Sequence, residues 1–153
     1  MENKPIRTTS RAGYQGSRRG SALFYLALSI CYAAGIYWLS SIPGNIDPEE
    51  AGIYWLISWT PPTLQNLLHI PLFGILAWLW WRSLRGWIQQ NRVLLLSAFL
   101  LTAGYGMADE WHQLQVPGRY ASLTDMLLNA VGALIGIWLI HRSGRTRRRP
   151  REL

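Results

Sequence analysis

A chain of 153 residues has room for one compact domain, and 50% hydrophobic residues with nine Trp set it apart from ordinary soluble folds. The mean hydropathy of +0.07 is modest only because long apolar segments average against arginine-rich ends, so local patterning must decide the class. The formal charge of +7 sits on residues that flank those segments rather than on a soluble module, which argues against nucleic acid and for anionic lipid as a partner.

Residues 1–20 carry Lys4, Arg7, Arg11, Arg18 and Arg19 among Gly, Ser and Thr, and read as a disordered basic tail. Arg18-Arg19 before an apolar run resembles a twin-arginine export signal, but the run over residues 22–39 is long for a signal core, so a retained first helix is expected. That helix is predicted over residues 21–41, an uncharged stretch of the length a bilayer span requires, closed by Pro43-Gly44. The only cysteine, Cys31, lies inside it, so no intrachain disulfide can form. The following loop contains Asp47, Glu49 and Glu50 but no Lys or Arg, and its aromatic segment over residues 53–59 is expected to lie in the membrane interface.

A second span is predicted over residues 63–84, with Trp78, Trp80 and Trp81 near its end where indole rings favour the headgroup level. Arg82, Arg85 and Arg92 mark the short connection to a third span over residues 93–113. A tight turn at Val116-Pro117-Gly118 leads into a fourth span over residues 121–141, and residues 142–153 form a second basic tail. The expected architecture is therefore an all-α integral membrane bundle of about four transmembrane helices over residues 21–141.

Orientation follows from the basic residues. The N-terminal tail, the second connection and the C-terminal tail hold all of the 15 Lys and Arg except Arg119. Positive residues accumulate on the cytoplasmic side, so both termini are expected there, in a multi-pass protein of the plasma or inner membrane. Gly132-x-x-x-Gly136 and Gly104-x-x-x-Ala108 place small residues at helical spacing, which packing within the bundle would use.

The residues that packing does not explain are His69, Asp109, Glu110, His112, Gln113, Arg119, Asp125 and Asn129, all near the end of the bundle away from the tails. At 1.5 Å per helical residue, His69 lies about 10 Å into the second span, and Asp125 and Asn129 about 6 and 12 Å into the fourth. A carboxylate deep in hydrocarbon costs about 2.5–3.5 kcal/mol, so partners or water are required. Arg119 is the expected counter-charge for Glu110 or Asp125, because its planar fork suits a carboxylate or a ligand phosphate. The cluster is either a buried network that fixes helix register or a polar cleft open to the outer leaflet.

Asp109-Glu110-x-x-Gln113 followed by Pro117-Gly118-Arg119, Ser122, Asp125, Asn129 and Gly132, with His69 on an earlier helix, resembles the signature of VanZ-like membrane proteins. The resemblance covers residues 64–140 and implies a small multi-span membrane protein, in a family whose named member is associated with low-level resistance to the glycopeptide teicoplanin. Where members often carry a lysine three residues before the histidine and a tyrosine after it, this chain has Asn66 and Phe73.

The preferred reading is a binding role without catalysis, in which the cleft recognises a lipid headgroup or a lipid-linked envelope precursor. Arg119 would meet phosphate, and Glu110, Asp125 and Asn129 would meet hydroxyls. The alternative is a membrane-embedded hydrolase or transferase with His69 or Glu110 as general base; Ser122 is a hydroxyl without a visible base beside it. A proton-coupled carrier is disfavoured, since four spans lack visible inverted repeats. No cofactor is expected, and no metal, because the short ligand spacing of metal motifs is absent.

Overall fold

The computed structural model describes residues 11–45 and 61–146. They form four α-helices: α1 (Arg11–Ser40), α2 (Pro62–Leu84), α3 (Asn91–Gln113) and α4 (Leu123–Thr146). Each contains a stretch long and apolar enough to cross a membrane: Arg18–Ser40, Thr63–Leu84, Asn91–Gln113 and Leu123–Ser143. Large apolar side chains such as Phe24, Leu67, Leu100 and Leu134 point outward along all four, as a lipid solvent permits.

The expected spans are all present. α1 begins ten residues before the predicted start at 21, so residues 11–20 of the expected tail are helical. Hydropathy marks the apolar stretch, whereas the backbone hydrogen-bond ladder continues through Arg and Gln, which are good helix formers. α4 starts at Leu123 because Ser122 caps it, and runs to Thr146, past the predicted end at 141. The acidic residues Asp47, Glu49 and Glu50, the segment 53–59 and both chain ends lie outside the described residues.

α2 and α4 run in the same direction, and α1 and α3 oppose them. In cross-section the helices form a diamond: α2 and α3 each approach all the others, and α1 and α4 occupy the far corners without meeting among the described residues. The α2–α4 seam is made by glycine. A Cβ at Gly132 would overlap the Ile70 carbonyl, and one at Gly136 would sit 2.6 Å from the Gly74 carbonyl oxygen, so only glycine allows this approach. Gly104-x-x-x-Ala108, by contrast, is exposed, with nothing within 4 Å of a Cβ at Gly104; Gly106, two residues on, makes the interhelical contact instead.

The apolar core is Ile36, Phe73 and Leu76, wrapped by Tyr32, Ala33, Leu72, Trp80 and Tyr105. Trp80 thus packs inward rather than joining Trp78 at the periphery. Its neighbours in the Trp cluster alternate in role because successive helical residues are 100° apart.

Candidate functional site

The polar residues gather at the end of the bundle where α1 and α3 finish and α2 and α4 begin. They divide into two networks with a clasp between the connecting segments.

The first network ties α1 to α3. Asp109 is 3% exposed; its Oδ1 accepts the Ser40 hydroxyl at 2.6 Å, and its Oδ2 accepts the Gln113 amide at 3.3 Å. His112 lies against the same end of α1, with Nε2 2.9 Å from the Ser41 hydroxyl and its ring stacked on Tyr37 at 4.1 Å between centroids. Tyr105 adds a bond to the Ala33 carbonyl at 2.6 Å. Tyr37, Ser40 and Ser41 were not singled out from sequence; a Ser-Ser pair ending an apolar helix was the available signal.

The clasp is the turn 116–119. The Arg119 N–H donates to the Val116 carbonyl at 3.1 Å, Pro117 occupies the second position, and Gly118 the third with φ +72°, a type II turn. This turn grips the chain leaving α1: the Gly44 N–H donates to the Pro117 carbonyl at 3.0 Å, and Arg119 Nε donates to the Ile42 carbonyl at 3.0 Å. The expected ion pair of Arg119 with Glu110 or Asp125 is not formed. The reason is local: the turn holds Arg119 against the negative end of α1, where carbonyls lack helical partners.

The second network joins α2, α3 and α4. Ser122 caps α4, its Oγ accepting the Asp125 N–H at 3.3 Å. In a reciprocal capping box the third residue of the helix would accept the cap's own N–H. Here Glu110 of α3 takes that place, its Oε2 accepting the Ser122 N–H at 2.9 Å, at the positive end of α4. Asp125 is thereby released from capping duty. One turn further along α4, Asn129 reaches α2, its Oδ1 lying 2.7 Å from His69 Nδ1. An amide oxygen only accepts, so Nδ1 carries the proton in this bond. Room for Asn129 comes from Gly106, where a Cβ would lie 3.1 Å from the Asn129 Cβ and 3.0 Å from Phe73. His69 lies parallel to Phe73, with ring centroids 6.1 Å apart.

This second network is incomplete. Glu110 and Asn129 are each 1% exposed, yet Glu110 Oε1, Asn129 Nδ2 and Asp125 Oδ1 are buried without a hydrogen-bond partner. Glu110 bonds the cap of α4, and Asp125 and Asn129 lie one turn apart on that helix. Each unsatisfied group costs about 1–3 kcal/mol, more when charged, so three of them in one network are a departure from the usual pairing of buried polar groups. No group of three or more His, Cys, Asp or Glu that would hold a metal ion exists among the described residues. Of the expected site, His69 pairs with Asn129 and Glu110 joins Asp125 at the cap of α4, Asp109 turns to α1 with Gln113 bonded to it, and Arg119 stands at the turn three residues before Ser122.

The family model described as VanZ/LLP1 matches residues 15–144. No curated protein and no solved structure matches the chain.

Proposed function

The chain belongs to the VanZ-like family, and from that premise we propose that Glu110, Asp125, Asn129 and His69 bind a lipid headgroup or a lipid-linked cell-envelope component. The carrying observation is the set of orphaned buried atoms: two carboxylate oxygens that accept, and one amide nitrogen that donates. They complement hydroxyl or amine groups of a ligand, with one ligand oxygen facing Asn129. Among the described residues Arg119 uses only Nε, on Ile42, and its terminal amino groups suit a headgroup phosphate.

By the distribution of Lys and Arg, this end of the bundle faces the outer leaflet of the plasma or inner membrane, with both termini cytoplasmic. A site there meets envelope precursors on the side where glycopeptides act, so tolerance to teicoplanin is the phenotype to assay. The test is mass spectrometry of lipid extracted with the detergent-purified protein, comparing wild type with Asp125→Asn and His69→Gln. A discrete hydroxylated or amino lipid, retained by wild type and reduced at least tenfold in both variants at equal folded protein, is the expected result. Equal recovery of the same lipids from all three would overturn the proposal.

A second reading rests on His69. Its Nδ1 bond to Asn129 leaves Nε2 as the ring nitrogen that could serve as a general base, so a membrane-embedded hydrolase or transferase is the alternative. Ser122 is engaged as a helix cap and makes a poor nucleophile. Time-dependent conversion of the co-purified lipid, abolished by His69→Gln, would favour catalysis over binding.

A further inference from the structure

At the opposite end of the bundle, where α1 enters and α2 finishes, lies a cavity of about 250 Å³ lined by Arg18, Ser21, Ala22, Arg82, Arg85 and Gly86. Gly86 brings the segment after α2 against α1, since a Cβ there would overlap that of Ala22 and lie 3.5 Å from the Arg18 carbonyl. Among the described residues that line it, three are arginines and none is acidic. Asp109, Glu110 and Asp125, the described acids, are all at the other end.

Two of the arginines are held by aromatic rings. Arg82 lies over Tyr25 at 4.4 Å from the ring centroid and donates from a terminal nitrogen to the Tyr25 hydroxyl at 2.8 Å. Arg85 lies over Trp81 at 4.6 Å. Such stacking fixes a guanidinium plane without neutralising it. Arg82 Nε is buried and has no hydrogen-bond partner among the described residues, so the guanidinium of this cavity-lining arginine is not fully satisfied within the bundle. Tyr25, Trp78, Trp81 and Arg82 cluster where the apolar part of α2 ends, the depth at which aromatic and basic residues meet lipid headgroups.

We propose that this cavity binds the phosphate group of an anionic phospholipid headgroup, with Arg82 and Arg85 as its principal ligands and Ser21 at its α1 wall. A phosphate diester supplies acceptor oxygens and a negative charge complementary to the guanidinium groups that line the cavity. By joining α1 to the end of α2, the lipid stabilises the contact that Gly86 makes with Ala22. The site is separate from the cluster around Glu110, and either can fail without the other.

The test uses the full chain in detergent, depleted of lipid and returned to phosphatidylglycerol, phosphatidylcholine or inorganic phosphate, with binding read by native mass spectrometry and by thermal shift. Wild type should retain phosphatidylglycerol at least fivefold over phosphatidylcholine and melt higher with it. Arg85→Gln removes a ligand, and Ser21→Trp fills the cavity without changing charge; each should lower the preference at least threefold. Arg92→Gln, outside the cavity, should leave it unchanged. Protection by phosphatidylglycerol alone assigns the site to lipid, whereas equal protection by inorganic phosphate upholds phosphate recognition and makes the occupant a soluble ester. Protection by neither, or equal losses in Arg92→Gln and the two cavity variants, overturns the proposal.

Discussion

The hydroxyl of Ser40, the last residue of α1, donates to Oδ1 of Asp109 on α3 across 2.6 Å, with both residues buried. Ser40→Ala leaves that carboxylate with only the longer bond from Gln113 at 3.3 Å. The expected cost is about 1–3 kcal/mol, read as a fall of several degrees in the melting temperature of the purified protein. Asp109→Asn in the Ser40→Ala background should recover part of the loss, because a neutral amide is cheaper to leave half-satisfied. Strictly additive losses would show that the bond contributes nothing.

Glu110 and Arg119 are each matched to a helix end instead of to each other: Glu110 to the N–H of Ser122, the cap of α4, and Arg119 to the Ile42 carbonyl beyond α1. Glu110→Gln and Arg119→Gln should therefore each lower stability, with the double mutant additive to within about 0.5 kcal/mol. A coupling above about 1 kcal/mol in that cycle would restore the ion pair.

The glycines of α3 and α4 should respond in opposite ways. Gly132→Ala drives a methyl into the Ile70 carbonyl and should destabilise by roughly 1–3 kcal/mol as α2 and α4 separate. Gly104→Ala meets nothing within 4 Å and should be neutral or stabilising by up to about 1 kcal/mol. Thermal melts of the two variants decide it, and the reverse order would refute the parallel α2–α4 seam. A loss at Gly104 alone would instead reveal a partner on that outward face.

Cysteine labelling in intact cells tests the orientation, in a Cys31→Ser background. Tyr120, 84% exposed beside the site, should react as cysteine with an impermeant thiol reagent from outside. Gln89, in the connection between α2 and α3, should react only after lysis. Exchange of these two patterns would invert the protein and place the polar cluster on the cytoplasmic side.

Hydropathy alone placed the four helices, since about 20 apolar residues are needed to span hydrocarbon and each such run here is bounded by Arg, Pro or Gly. Pro117-Gly118 likewise announced its turn, because only a residue like glycine accepts the positive φ of the third position. The polar side chains were recognisable as residues that packing does not need, but not their partners. Asp109 and Glu110 are neighbours in sequence and were read as members of one cluster. On a helix they point 100° apart, so one bonds to α1 and the other to the start of α4. Charge complementarity likewise suggested that Arg119 neutralises Glu110, whereas tertiary packing presents each with a closer opposite pole at a helix end. Periodicity within one helix sets which residues share a face. Which face meets which neighbour, and so which buried atoms are left without a partner, depends on how the four helices are arranged around one another, and that only the tertiary structure decides.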